Sequence, residues 1–210
     1  MPEEISNPRI IGRSSSSFTR ITRIFACELG VECELRIVRD LRSSNVEDYA
    51  GNPALKLPIL QAQSGTWFGA LNICRALARG SAREPHVVWP EDLREPLLAN
   101  AQELTLHALA TEVTLVMSKL SGVDATLHQA KLHASLLNVL EWLDVNVAGV
   151  LAGLPAARQL SYLEVALFCL VTHLEFRDVV PVAPYRELAA FCGSFAERAS
   201  AQATPYRFDL

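Results

Sequence analysis

The sequence predicts an α/β domain over residues 1–80 followed by an all-α domain over residues 90–210. In the first part of the chain, short apolar runs with strand character alternate with helix-periodic segments. From residue 91 onward, apolar residues recur at helical spacing in segments much longer than ordinary strands. The chain has 210 residues, of which 50% are hydrophobic, so it can supply a core for each of two domains.

The first domain combines four short strands with three helical segments. The predicted strands cover residues 8–12, 33–38, 57–61 and 66–68. The predicted helices cover residues 18–29 and 71–80, with a short helix or turn at 45–50. The serine run at 14–17 supplies caps for the first helix, and Gly30 ends it in the usual C-terminal manner. The resulting order, β-α-β-(α)-β-β-α, is thioredoxin-like.

The second domain is predicted to be entirely helical. We interpret residues 85–90 as the linker that leads into it. The predicted helices cover residues 91–120, 127–147, 165–171 and about 185–199. Ser161 and Glu164 have the spacing of a capping box ahead of the third of these helices.

Composition and charge exclude several classes of partner. The net charge is −4 with no basic field, so we expect neither nucleic acid nor an anionic membrane as a partner. No unbroken run of eighteen apolar residues occurs, and the acidic first residues do not resemble a signal peptide. The five cysteines are scattered, which suits reduced thiols in a cytoplasmic protein. No cysteine or histidine spacing matches a metal site, so none is predicted.

The stretch from Asn52 to Leu60 is the most informative local signal. It contains a turn opener and then an apolar run interrupted by Pro58, a residue that belongs at a strand start or edge. If the Leu57–Pro58 peptide bond is cis, the N–H and C=O of Leu57 stay unpaired and can bind an extended, peptide-like ligand. A plain loop before an edge strand explains the same pattern, so both interpretations remain open.

Several motifs, in this order along the chain, resemble those of the glutathione transferase superfamily. Residues 16–23 are similar to its S-P-[FY]-x-R-x-x-R motif, and residues 52–60 to its N-P-x-x-x-[VL]-P-x-L motif. Residues 67–77 resemble the motif that opens its next helix, residues 161–164 its S-x-x-D box, and residues 197–204 a common bacterial ending. The chain is therefore identified as resembling a bacterial, serine-type member. The resemblance implies a thioredoxin-like domain joined to an all-helical domain.

The resemblance also implies a chemistry and a set of site residues. A serine hydroxyl at the start of the first helix would donate a hydrogen bond to the thiolate of glutathione, the co-substrate, and lower its pKa. By register this serine is Ser16, although Ser14, Ser15 and Ser17 remain alternatives, and Ser16 can equally be a simple helix cap. The implied ligand-binding residues are Ser17, Lys56, Leu57, Pro58, Gly69 and Ala70.

One departure from the family pattern affects glutathione binding. Where the family has a Glu-Ser pair that holds the γ-glutamyl end of glutathione, this chain has Gly69 and Ala70. Losing two charge-assisted hydrogen bonds, at ~1.5–3 kcal/mol each, weakens binding by a factor on the order of 100 or more. The free N–H groups and positive dipole end of the helix remain able to attract a carboxylate.

Two functions follow from these features. The first is a glutathione transferase acting on a small electrophile, with a second-substrate pocket at Glu103, Leu106 and His107. The second is a non-catalytic binding or interaction protein that keeps the fold and binds glutathione weakly. In either case the resemblance implies a homodimer. The identity of the electrophile is not encoded in any motif.

Overall fold

A computed structural model describes residues 7–122 and 126–209 of the chain. The chain forms two compact units, one of residues 1–85 together with 197–210, and one of residues 86–196. Residues 197–210 thus group with the first unit, and the sequence-based domains of 1–80 and 90–210 stay a prediction.

The first unit has the element order expected from the sequence. Its strands are β1 (Arg9–Gly12), β2 (Glu34–Ile37), β3 (Ile59–Ala62) and β4 (Gly65–Phe68). Its first helices are α1 (Ser17–Leu29) and α2 (Ala70–Gly80), and a short 3-10 helix covers Val46–Tyr49. Gly30 ends α1 in the left-handed conformation, with φ 66°, as predicted for a C-terminal glycine.

The four strands form one mixed sheet in the order β2-β1-β3-β4. β1 is parallel to β2 and antiparallel to β3, and β3 is antiparallel to β4. The register aligns Ile11 of β1 with Ile59 of β3, and Ile59 with Phe68 of β4. The C-terminal ends of β1 and β4 and the N-terminal end of β3 therefore meet at one edge of the sheet.

Alternation along the strands gives the sheet two apolar faces. Ile11 and Ile59 pack with Val38 and Tyr49 in one buried cluster. α1 and α2 pack against each other, and their apolar stripes are buried. The fully buried residues of these stripes are Ile21, Ile24, Phe25, Leu29, Ile73 and Leu77.

The second unit is helical with a small sheet. Its helices are α3 (Pro96–Leu120), α4 (Leu127–Gly153), α5 (Tyr162–Phe176) and α6 (Arg186–Ala196). Its two short strands, β5 (Val87–Val88) and β6 (Leu160–Ser161), pair in parallel. Between α3 and α5, the Glu112 Oε1 atom lies 2.6 Å from the His173 Nδ1 atom, and both side chains are buried.

Several sequence-based boundaries in the helical part were wrong, and three of the errors concern which element a segment forms. Residues 85–90 are not a plain linker, because β5 lies within them. α3 begins at Pro96 and not at residue 91, because residues 90–92 form a separate 3-10 turn. The predicted last helix is two helices, α6 and α7 (Ala199–Gln202), separated at residues 197–198. The capping interaction of Ser161 was correct, since its Oγ accepts the Glu164 N–H.

α4 has the length and mean hydropathy that a membrane-crossing helix needs. Core helices of soluble proteins pass the same test, and α4 packs against α3 and α6. One helix of this kind is weak support for a membrane span. The absence of an unbroken apolar run had led us to expect no such helix, and α4 reaches its hydropathy with polar residues interspersed.

Candidate functional site

The hydroxyl of Ser16 lies at the N-terminal end of α1. Ser16 has extended backbone angles, φ −107° and ψ 127°, and its Oγ accepts a hydrogen bond from the Thr19 N–H at 3.2 Å. That bond occupies a lone pair of the oxygen, so the hydroxyl proton remains able to donate to a ligand. The same bond makes Ser16 a helix cap, which by itself stabilises a helix by about 1 kcal/mol.

Burial separates Ser16 from the other three serines of the run. Ser14, Ser15 and Ser17 are 2%, 6% and 0% exposed, whereas Ser16 is half-buried and reachable. Within the described residues, neither Ser14 Oγ nor Ser17 Oγ has a hydrogen-bond partner. Ser17 was predicted to contact a ligand, but the whole residue is buried, so this contact stays a prediction.

A close approach between β1 and α1 fixes the loop that carries Ser16. A Cβ atom at Gly12 would lie 2.5 Å from Thr19 Oγ1, so the approach requires glycine. Thr19 is fully buried, and its Oγ1 accepts the Arg13 N–H at 3.4 Å. The turn from β1 into α1 is thus held by backbone and side-chain contacts.

The Leu57–Pro58 peptide bond is cis, as in the first of the two interpretations that the sequence left open. The buried Asn52 braces the loop before it: its Nδ2 donates to the Lys56 carbonyl at 2.7 Å, and its Oδ1 accepts the Ala54 N–H at 3.0 Å. Neither the N–H nor the C=O of Leu57 takes part in a hydrogen bond within residues 7–122 and 126–209. Both groups are therefore available to a ligand with a peptide backbone.

Gly69 and Ala70 form the N-terminal end of α2. Gly69 precedes the helix with φ 82° and ψ 140°, a conformation that residues with a side chain rarely adopt. No side chain caps this end, so the first N–H groups of α2 are left for another acceptor. A Cβ atom added at Gly69 would meet nothing within 4 Å, so the backbone conformation, and not lack of space, is what favours glycine.

The sheet register brings these three features to the same edge. Ser16 follows the C-terminal end of β1, Pro58 precedes the N-terminal end of β3, and Gly69 follows the C-terminal end of β4. The edge therefore combines a hydroxyl at one helix N-terminus, unpaired main-chain groups and a second, uncapped helix N-terminus. This set of groups suits an anionic ligand with a peptide backbone.

The remaining predicted site residues have other surroundings. Lys56 is exposed, and its carbonyl is taken by Asn52. In the helical unit, Glu103 is exposed, Leu106 is half-buried, and His107 Nε2 lies 3.2 Å from Ser135 Oγ on α4. A nearby cavity of about 420 Å³ between α3 and α4 is lined by Leu104, Lys131, Ala134, Ser135, Asn138, Val139 and Trp142. None of the three predicted pocket residues lines it, and their role stays a prediction.

Two cysteines of the first unit, Cys27 near the C-terminal end of α1 and Cys33 just before β2, have raised pKa values. Burial raises the pKa of Cys33 to about 12, and burial also raises the pKa of Cys27. Both thiols are therefore protonated at neutral pH. In the described part of the chain, no three metal-ligating side chains are grouped.

Comparison with solved structures gives consistent matches over nearly the whole chain. A glutathione S-transferase from Methylobacterium radiotolerans, in complex with glutathione sulfonate, matches with a TM-score of 0.74 at 17% identity over 98% of both chains. One from Methylobacillus flagellatus with glutathione bound gives 0.75 at 17% identity, over 96% of this chain and 100% of that one. A Pseudomonas fluorescens family member with bound glutathione gives 0.76 at 16% identity, with the same coverage. No family model and no curated protein matches the sequence.

The chain adopts the glutathione transferase fold. The predicted fold class, a thioredoxin-like α/β half and an all-helical half, is thereby confirmed. Within this fold, the edge that carries Ser16, Leu57 and Ala70 belongs wholly to the first unit.

Sequence reasoning missed several residues that shape this edge. Thr19 and Asn52 act through local hydrogen bonds, and the glycine at position 12 was the one local sign of a close approach. Arg20 is buried although a charged side chain on a helix face is usually solvated, and no local pattern reveals its burial. Asp209 accepts the Ser14 N–H at 2.8 Å from the far end of the chain, and no local pattern announces that contact.

Proposed function

We propose that the chain binds glutathione at the edge formed by Ser16, Leu57 and Ala70 and joins the glutathione thiolate to a small electrophile. The observation that carries this proposal is the convergence of an available hydroxyl, unpaired main-chain groups and an uncapped helix end at that edge. Structures with the same fold, crystallised with glutathione or glutathione sulfonate, support the choice of ligand.

Each element of the edge has a part in binding. The N–H and C=O of Leu57 pair with the main chain of the cysteinyl residue of glutathione, in the manner of an added strand. The first N–H groups of α2, at Ala70 and beyond, receive the γ-glutamyl carboxylate. Lys56, Pro58 and Ser17 complete the proposed contacts.

The chemistry depends on Ser16. Its hydroxyl donates a hydrogen bond to the glutathione sulfur, which stabilises the thiolate and lowers the pKa of the thiol. The thiolate then attacks the electrophilic carbon, a carbon–sulfur bond forms, and the leaving group departs with the electron pair of the broken bond. The proton lost by the thiol passes to solvent. Glu103, Leu106 and His107 are proposed to contact the electrophile.

A second candidate is a non-catalytic binding protein of the same fold. Gly69 carries no carboxylate and Ala70 no hydroxyl, so two contacts that the family resemblance implies are missing. The left-handed backbone at Gly69 disfavours any residue with a side chain there. On this alternative, glutathione binds only weakly, and partner binding replaces catalysis.

We also propose a homodimer in the cytoplasm. The resemblance to the family is the basis for the homodimer, and the five scattered cysteines are the basis for the cytoplasmic location. Light scattering coupled to size-exclusion chromatography would detect the dimer, and a monomer at micromolar concentration would contradict it.

Titration calorimetry with glutathione, followed by a conjugation assay, separates the two functions. Micromolar affinity in the wild-type chain, with conjugation of an activated aryl halide lost in Ser16→Ala and kept in Ser16→Thr, would support the transferase. Millimolar or undetectable affinity would favour the non-catalytic alternative. Ser16→Thr is the matched control because threonine keeps both the hydroxyl and the cap.

A further inference from the structure

The C-terminal segment, residues 198–209, runs along α1 and is tied to it at three levels. The first tie is at the C-terminal end of the helix. The Arg198 guanidinium forms two hydrogen bonds with the Glu28 carboxylate, at 2.8 and 2.9 Å, and the Ser200 hydroxyl donates to the same carboxylate. Burial acts to raise the pKa of Glu28, but the bonds from Arg198 and Ser200 hold that pKa below its ordinary value.

The second tie is at the middle of α1. The Arg20 Nη2 atom donates to the Ala201 carbonyl at 3.3 Å, and the guanidinium stacks over the Tyr206 ring at 4.3 Å from its centroid. Arg20 is only 7% exposed, so these contacts hold a buried charge. Loss of both would leave that charge without its partners from the segment.

The third tie is at the loop that carries the serine run. The Asp209 Oδ2 atom accepts the Ser14 N–H at 2.8 Å, across 195 residues of sequence. The surroundings are cationic: burial, and next the charge of Arg207, lower the pKa of Arg23, while the charge of Asp209 acts to raise it. The Asp209 carboxylate is thus the hydrogen-bond acceptor for the Ser14 N–H of this loop.

We propose that Asp209 is a positioning residue for the serine loop, and that residues 198–209 act as a strap that holds Asp209 in place. On the proposed function of Ser16, the orientation of its hydroxyl is set by a side chain from the opposite end of the chain. The hydrogen bond to Ser14 N–H fixes the backbone two residues before Ser16. Without it, Ser16 still caps α1, but its hydroxyl is directed less reproducibly at the thiolate. Misplaced catalytic groups lower turnover more than binding.

The test compares Asp209→Ala and Asp209→Asn with wild type. Asparagine keeps an oxygen that can accept the Ser14 N–H, whereas alanine does not. The matched control is Glu197→Ala, which removes an exposed carboxylate immediately before the segment. Amide hydrogen exchange of residues 13–17 reports the loop without any ligand, and steady-state kinetics report kcat and KM for glutathione.

In Asp209→Ala, we expect the amide hydrogen of Ser14 to exchange about tenfold faster than in the wild type. We also expect this variant to lower kcat more than it raises KM. Asp209→Asn should restore most of the protection from exchange and most of kcat, and Glu197→Ala should match the wild type in both measurements. Unchanged exchange in Asp209→Ala would contradict the proposal that Asp209 positions the serine loop. If Asp209→Ala unfolds, Arg198→Ala, which releases the other end of the strap, must show faster exchange at 13–17, and unchanged exchange there would also overturn it. If the wild type fails to bind glutathione, faster exchange in Asp209→Ala still supports the strap, and only the proposed function is lost.

Discussion

The side-chain amide of Asn52 donates a hydrogen bond of 2.7 Å to the carbonyl of Lys56. Asn52 is buried, and the residue after Lys56 is Leu57, whose main chain faces the candidate site without an internal partner. One buried side chain therefore sets the direction of the peptide on which ligand binding depends. Asn52 therefore affects the position of the Leu57 main chain, although no contact between Asn52 and the ligand is proposed.

We expect Asn52→Ala to lower both stability and affinity. It leaves the Lys56 carbonyl and the Ala54 N–H without their partner, at a cost of about 1–3 kcal/mol in the free energy of unfolding. Urea denaturation measures that change, and calorimetry with glutathione measures the loss of affinity. Asn52→Asp is the matched comparison: it keeps the acceptor for Ala54 but sets a carboxylate against the Lys56 carbonyl. If both variants bind glutathione as the wild type does, Asn52 has no influence on the site.

Ser16→Ala should separate the cap from the chemistry. Loss of the cap costs about 1 kcal/mol of stability, whereas loss of the thiolate hydrogen bond lowers the conjugation rate at neutral pH. The decisive measurement is the pH profile of kcat/KM for the electrophile at saturating glutathione, which reports the thiol pKa of bound glutathione. Without Ser16 that thiol ionises at higher pH, so the profile shifts upward. Ser14→Ala and Ser15→Ala test the alternatives within the serine run. A shift in either of those profiles, with none in Ser16→Ala, would move the role to that serine.

Ala70→Ser is expected to strengthen glutathione binding. A hydroxyl at the first residue of α2 can donate to the γ-glutamyl carboxylate, a charge-assisted bond worth ~1.5–3 kcal/mol, so calorimetry should show about a tenfold or greater gain. The helix itself should tolerate serine, because serine is well accepted at helix N-termini. An unchanged dissociation constant would place the γ-glutamyl end away from α2.

Gly69→Ala is the corresponding test of backbone strain. Space is not limiting, since a Cβ atom at Gly69 meets nothing within 4 Å, but φ is 82° there. A non-glycine residue in the left-handed region costs roughly 1–2 kcal/mol, and denaturation should detect that loss. An equally stable Gly69→Ala would show that the helix start can relax, and Gly69→Glu would then be a feasible restoration of the missing carboxylate.

The contribution of Glu28 to stability should depend on pH. The folded-state pKa of Glu28 lies below its ordinary value of 4.5, so its partners Arg198 and Ser200 stabilise the ionised form. The extra stability is fully present above the unfolded-state pKa and is lost as pH falls through the lower, folded-state pKa. The difference in unfolding free energy between wild type and Glu28→Gln should therefore be constant near neutrality and shrink below pH ~4.5. A difference that does not change with pH would contradict this.

Local patterns predicted the fold well. Helical spacing of apolar residues located α1, α3 and α4, and Gly30 and Ser161 marked a helix end and a helix start because their preferences are intrinsic to the residue. β5 was missed because two residues have no periodicity to detect, and their pairing with β6 depends on residues more than seventy positions away. The break between α6 and α7 was missed because alanine-rich sequence around it favours a continuous helix.

The site was only partly predictable from the sequence, because some of its contacts join residues that are far apart along the chain. The motif around Pro58 and the serine run drew attention to main-chain groups and a hydroxyl that the structure places at one sheet edge. The contact between Ser14 and Asp209 and the burial of Arg20 under the C-terminal segment depend on tertiary packing, which single-sequence patterns do not encode.

Mapping of backbone amide chemical shifts during a glutathione titration tests the central claim most directly. We expect saturable shifts concentrated at Ser16, the N–H of Leu57 and the first residues of α2, with the Ala70→Ser variant saturating at lower concentration. Shifts confined to the helical unit, or no shifts at millimolar glutathione, would contradict a glutathione site at this edge.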